Sequence, residues 1–204
     1  MTRSFIHIMQ NCLDDNLFHD LYYSVAKKAD YVDYSIEKRR YEANPDKLHS
    51  LHYQTDDPQN IKSTYEVSLD QLVDLCSRVL GKRVYSYIGA GILKYEADQY
   101  ISIHKDWHLN TTEESKYHNP WSKVDLACIY YLNDEYSGGE FNVFGLEKTD
   151  TPILTYKPTP NSCVIIDSDL YHSSCPVKEG TRYCITMFLS YCDCGSCNSS
   201  CVYK

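Results

Sequence analysis

Val124-Asp125-Leu126-Ala127-Cys128-Ile129-Tyr130-Tyr131-Leu132, followed by Asn133-Asp134 and then by Ser137-Gly138-Gly139, is the stretch whose reading decides the fold. It is a short run of β-branched, aromatic and apolar residues closed by turn residues, and so reads as a strand entering a tight turn. The same pattern recurs from Val84 onward. Segments 91–95, 100–104, 140–144, 163–166 and 182–189 read as further strands, with another turn at Pro158-Thr159-Pro160-Asn161. Many short strands between Gly, Asn, Asp and Pro are the signature of a β-sandwich or barrel. Cys128, Cys163 and Cys184 fall inside these runs, where a free thiol behaves as a small buried hydrophobe.

Upstream of Val84 the period changes. Leu17, Leu21 and Val25, with Phe18 and Tyr22, repeat at three- and four-residue spacing behind the acidic capping candidates Asp14 and Asp15, which marks a surface helix with one buried face. Leu69, Leu72, Val73, Cys76, Val79 and Leu80 mark a second helix, starting near Ser68 or Asp70 and stopped by Gly81. Segment 30–64 is polar and poorly periodic and reads as irregular, with room for one strand. The expected class is mainly β with flanking helices, the helices bracing a double-layered antiparallel sheet.

The chain has 204 residues and a mass of 23.7 kDa, the size of one domain with one sizeable core. It divides into helical and irregular support (1–83), a β core (84–191) and a cysteine-rich tail (192–204). A formal charge of −8 argues against a general affinity for nucleic acid or an anionic membrane. No run approaches the length of a membrane span, and Phe5-Ile6-His7-Ile8-Met9 is too short for a signal-peptide core, so an intracellular, cytoplasmic location is the expectation. Twenty tyrosines against five phenylalanines give the aromatic residues many hydroxyls, which suits a polar-lined cavity.

His104-Lys105-Asp106 sets two metal-ligand types two residues apart at the end of an expected strand, where alternation turns both to one face. His172 follows just beyond another strand. Two imidazoles and a carboxylate on one face of an octahedron leave three positions open, the arrangement of non-heme Fe(II) oxygenases. Arg182, at the head of the last strand, carries a guanidinium suited to pairing bidentately with a carboxylate.

Three groups of residues then agree, in order: Tyr95-x4-Tyr100-x3-His104-x-Asp106; Cys128-Ile129-Tyr130-Tyr131-Leu132-Asn133 with Ser137-Gly138-Gly139-Glu140-Phe141; and His172-x3-Pro176-Val177-x2-Gly180-x-Arg182-Tyr183. Together they resemble the prolyl 4-hydroxylase-like branch of the Fe(II)- and 2-oxoglutarate-dependent oxygenases, over roughly residues 84–191. The resemblance implies a double-stranded β-helix, or jelly roll, with iron held by His104, Asp106 and His172 between two sheets. It implies that Arg182 and Tyr131 bind the far carboxylate of 2-oxoglutarate and that Tyr95 lines its pocket; strand alternation turns Thr186 the same way as Arg182, adding a hydroxyl there, and Trp107, directly after the ligand pair, reads as a substrate wall or as a plug of the sandwich. The implied reaction is hydroxylation of a C–H bond with O2, releasing succinate and CO2, with ascorbate as accessory reductant. The implied substrate is a peptidyl proline, with a free amino acid or other small metabolite as the alternative. Asn161-Ser162 replaces the glycine turn of many relatives, and Asn tolerates the left-handed backbone such a turn needs.

Other readings concern different residues. Segment 109–121, just past the ligand pair, reads equally as a lid or as a surface insertion. Cys192, Cys194, Cys197 and Cys201 offer four thiolates for Zn2+, but the one-residue gap between the first two is tighter than the usual two to four. A catalytically silent jelly-roll binding module would not need all three ligands and the arginine together. A zinc hydrolase would leave Arg182 and Tyr131 without a role.

Overall fold

The computed structural model describes residues 5–33, 50, 51, 53–55, 58–106 and 124–192. Among them are two α-helices and fourteen strands, numbered here in chain order. Helix α1 (Asp15–Lys28) is capped by Asp14, whose side chain accepts from the Leu17 N–H at 3.1 Å, and it buries Phe18, Leu21 and Val25. Helix α2 (Lys62–Leu80) begins earlier than the capping candidates Ser68 and Asp70. A 3-10 turn over Gln59–Ile61 leads into it, and Ile61 provides no side-chain cap. Ser68 lies inside the helix, its hydroxyl donating to the Thr64 carbonyl at 2.7 Å. Gly81 ends α2 with φ of 61°, a conformation that only a residue without Cβ adopts freely.

The larger sheet has seven strands in the order β1 (Ile6–Gln10), β11 (Ser162–Asp167), β7 (Leu126–Tyr131), β14 (Arg182–Tyr191), β5 (Val84–Tyr95), β4 (Tyr53–Thr55) and β2 (Val32–Asp33). The smaller has five, in the order β10 (Leu154–Tyr156), β9 (Phe141–Gly145), β12 (Tyr171–Ser174), β6 (Tyr100–His104) and β3 (Ser50–Leu51). Strands β13 (Val177–Gly180) and β8 (Tyr136–Gly138) form a separate pair. Segment 30–64, expected to be irregular, thus contributes β2, β3, β4 and the first residues of α2.

Strand β7 is buried along its whole length because it is covered on both faces. Leu126, Cys128, Tyr130 and the following Leu132 join Leu21, Val25, Leu72 and Cys76 of the helices, with Cys163 and Ile165 of β11 and Ile185 and Met187 of β14. Ala127, Ile129 and Tyr131 point the other way, into a second cluster with Phe141 and Val143 of the smaller sheet and Tyr95 and Cys184 of the larger one. Burying one Leu or Ile side chain stabilises by about 1.5–3 kcal/mol, so this two-faced strand anchors both cores at once. The layers are helices, larger sheet, smaller sheet.

The expected double-stranded β-helix, or jelly roll, is corrected by this topology. The larger sheet ends on β1 and β2, the smaller on β10 and β3, and no sheet among the described residues closes into a barrel. The reason is where the N-terminal segments pair. β1 adds outside β11, and β4 and β2 add outside β5, so they widen the larger sheet instead of joining it to the smaller one. The mainly β class with flanking helices stands. No helix among the described residues is long and apolar enough to cross a membrane.

Candidate active site

His104 closes β6 and lies directly opposite His172 of β12. Asp106 stands past the end of β6, so strand alternation does not carry it. Its backbone N–H instead donates to the Ser168 carbonyl at 3.2 Å, and this bond holds the carboxylate under the two rings. Asp106 Oδ1 lies 3.5 Å from His104 Nε2, and Oδ2 lies 3.6 Å from His172 Nε2. Donors on adjacent corners of an octahedron with bonds of about 2.1 Å stand about 3.0 Å apart, so a small rotation of each side chain closes this triad on one ion. The three donors are the one group of metal-ligating side chains brought together among the described residues.

Each imidazole is set for that task by its own strand. His104 Nδ1 lies 2.7 Å from the Ser102 carbonyl and His172 Nδ1 lies 3.0 Å from the Leu170 carbonyl. A carbonyl only accepts, so both rings carry their proton on Nδ1 and present the Nε2 lone pair. Burial pulls the His172 imidazole down to about 4, so it is neutral at physiological pH. Burial alone would raise the Asp106 carboxyl, but the two histidines bring it below its ordinary range. Asp106 Oδ2 is buried and has no hydrogen-bond partner, as a metal-ligating oxygen would.

Arg182 is fully buried at the start of β14, its guanidinium carbon 4.0 Å from the centroid of the Tyr95 ring. Its Nη1 donates to the Gly139 carbonyl at 2.7 Å, while Nε and Nη2 have no partner. The Tyr131 hydroxyl is buried and likewise without a partner. Burial raises the Tyr131 phenol well above its ordinary value, so it stays protonated and able to donate. Leaving a buried charge without an anion costs several kcal/mol. A carboxylate held here would satisfy the guanidinium and the hydroxyl together, which is the fit that 2-oxoglutarate requires. Tyr131 and Tyr95 share their buried cluster with Phe141, whose ring lies 5.6 Å from that of His172, so pocket and triad belong to the same layer between the sheets.

Thr186 lies on the same face of β14 as Arg182, half-buried and opposite Ile129 of β7. Trp107, segment 109–121 and Cys194, Cys197 and Cys201 lie outside the described residues. Of the four tail cysteines only Cys192 is described, its N–H donating to the Arg83 carbonyl. The sequence motif contained Gly139 and Phe141 without giving either a role, and Tyr136 was missed altogether. Gly139 has φ of 67°, and a Cβ there would meet Tyr136 Cε2 at 3.0 Å and Arg182 Nη1 at 3.3 Å, so glycine lets the arginine seat. The Gly138-Gly139 pair was the available signal, read only as a turn.

Residues 90–190 match the family described as the 2OG-Fe(II) oxygenase superfamily. No curated protein matches the chain in sequence. Among solved structures, the chain is similar to an oxidoreductase of the 2OG-Fe(II) oxygenase family from Burkholderia pseudomallei, with TM-score 0.61, 13% identity, and 91% of this chain and 84% of that one covered. It is also similar to a Pseudomonas putida prolyl-4-hydroxylase, with TM-score 0.57, 15% identity, and coverage of 92% and 93%. A third is the non-heme α-ketoglutarate-dependent epimerase SnoN from nogalamycin biosynthesis, with TM-score 0.66, 12% identity, and coverage of 92% and 77%. With the matched family model taking in strands of both sheets and the His-Asp-His group inside it, the chain belongs to the 2OG-Fe(II) oxygenase superfamily and is a 2-oxoglutarate-dependent dioxygenase.

Proposed function

We propose that His104, Asp106 and His172 hold Fe(II), that Arg182 and Tyr131 bind the far carboxylate of 2-oxoglutarate beside Tyr95 and Thr186, and that the enzyme hydroxylates a peptidyl prolyl residue. Bound iron and 2-oxoglutarate supply the oxidising chemistry: one oxygen atom of O2 enters the substrate C–H bond and the other the succinate formed as CO2 leaves. The protein's own contribution is positional. The Nδ1 anchors fix both imidazoles, the Ser168 carbonyl fixes Asp106, and the buried arginine orients the co-substrate. The observation that carries this reading is a metal-ligand triad in the same buried layer as an arginine without an anion.

The prolyl substrate is supported by the motifs that resemble the prolyl 4-hydroxylase-like branch and by the similarity to the Pseudomonas putida prolyl-4-hydroxylase. The similarity to SnoN, an epimerase, favours a small-molecule substrate as the second reading. The deciding experiment follows succinate formation with Fe(II), O2 and ascorbate, the last proposed as the agent that keeps iron reduced. Proline-rich peptides and free proline are compared, with His104→Ala and Arg182→Ala as controls. Turnover stimulated by peptide and lost in His104→Ala supports the prolyl reading, and stimulation by free proline alone supports the second. No turnover together with no Fe(II)-dependent binding of 2-oxoglutarate would overturn both.

A further inference from the structure

Tyr131 is not the only hydroxyl near Arg182 without a partner. Tyr136, in β8 just before Gly138-Gly139, has its side chain buried with a hydroxyl that makes no hydrogen bond. Its ring and the Arg182 guanidinium flank the same glycine, since the Cβ position of Gly139 lies 3.0 Å from Tyr136 Cε2 and 3.3 Å from Arg182 Nη1. Tyr131 and Tyr136 belong to one buried cluster. Among the described residues, the buried side-chain atoms without a hydrogen-bond partner are Asp106 Oδ2, which is part of the metal triad, and four donors: Arg182 Nε, Arg182 Nη2, Tyr131 Oη and Tyr136 Oη. A carboxylate offers about four lone-pair sites on two oxygens, so one carboxylate can satisfy four donors. Arg182 and Tyr131 alone would leave the Tyr136 hydroxyl buried and unsatisfied, at a cost of about 1–3 kcal/mol.

We infer that Tyr136 donates to the same carboxylate and is a specificity-determining residue for a keto acid that ends in one. This rests on the co-substrate reading above and extends it to a residue outside the Arg182 and Tyr131 pair. The ring is also held by a cation. Lys157 Nζ lies 4.2 Å from the Tyr136 centroid and is itself tied to the Gly138 carbonyl, so one cation contacts both the phenol ring and the glycine turn.

The test compares wild type with Tyr136→Phe, a substitution that removes one unpartnered oxygen and keeps the ring. Fe(II)-loaded protein without oxygen is titrated with 2-oxoglutarate and with 2-oxopentanoate, which has the same chain length and metal-binding end but a methyl in place of the far carboxylate. The visible band of the chelated iron is followed. Tyr136→Phe is expected to weaken 2-oxoglutarate by roughly ten- to hundredfold, the loss of one hydrogen bond to a charged group. Binding of 2-oxopentanoate should be unchanged, and thermal stability without ligand equal or higher. Unchanged binding of 2-oxoglutarate would overturn the inference and leave the co-substrate reading intact. Equal weakening of both keto acids would also overturn it, since the residue would then act on the fold. Wild type that binds neither keto acid would remove the reading on which it rests.

Discussion

His104 and His172 face each other as direct partners across the β6–β12 ladder, with ring centroids 4.2 Å apart and planes tilted by 54°. Two rings on neighbouring strands that are both tied through Nδ1 to a carbonyl two residues back cannot turn away from the shared ion without breaking a backbone contact. Either histidine changed to alanine is therefore expected to lower Fe(II) or Mn(II) affinity at least 100-fold, a loss beyond the 10–100-fold usual for changes outside the ligands themselves. Anaerobic metal titration measures this, and affinity within about tenfold of wild type would remove that histidine from the ligand set.

Arg182 is worth more to the ligand-bound state than to the fold. A buried cation without an anion destabilises its surroundings, and an apolar side chain of similar volume relieves that penalty. Arg182→Met is expected to leave thermal stability unchanged or raised in the absence of 2-oxoglutarate, while losing the stabilisation that 2-oxoglutarate confers on metal-loaded protein. Arg182→Lys keeps charge but not the fork, and should raise the KM for 2-oxoglutarate roughly tenfold or more with metal affinity unchanged. A large loss of ligand-free stability in Arg182→Met would show that the arginine holds the fold.

Residues with local spacing were legible before the structure. The helix stop at Gly81 and the left-handed turn at Asn161, observed at φ of 55°, depend on nearby chain, whereas Asp106, two residues past His104, is placed by a backbone bond to the distant Ser168 instead of by strand alternation. Cys128, Cys163 and Cys184 are buried as their strand positions implied. What escaped depends on distant chain. The acceptor for Arg182 is a carbonyl 43 residues away, and Tyr136 sits among turn residues that hide its burial. Of the outer strands β1, β4 and β2, the last two have only three and two residues and are too short to carry a period, yet all three widen the larger sheet. Helix α2 starts on an uncapped isoleucine, which no capping rule marks.

Asn161 ties the N-terminal segment to the sheet. Its Oδ1 accepts from the Leu13 N–H at 2.9 Å and from the Tyr130 hydroxyl at 2.8 Å, and its Nδ2 donates to the Leu13 carbonyl at 2.8 Å. Asn161→Gly keeps the left-handed backbone but strands three buried polar groups, at an expected cost of about 2–4 kcal/mol. Asn161→Ala adds about 1 kcal/mol, because a Cβ is strained at positive φ. Urea denaturation should rank wild type above Gly and Gly above Ala, and Ala at or above Gly would mean that the turn relaxes.

The metal-free protein should lose stability on mild acidification. The folded His172 imidazole titrates at about 4, because burial disfavours its charge, whereas an unfolded histidine titrates near about 6.5. Between those values the unfolded chain binds a proton that the folded chain does not. The contribution is therefore fully present above about pH 6.5, declines as pH falls, and is lost once pH passes the folded value. The whole loss amounts to roughly 3 kcal/mol. Asp106, with its folded pKa below the ordinary value, acts in the same direction at still lower pH. Urea denaturation of chelator-treated protein across this range should give a slope of up to one proton, flattened in His172→Gln. An identical slope in that variant would assign the proton uptake to another group.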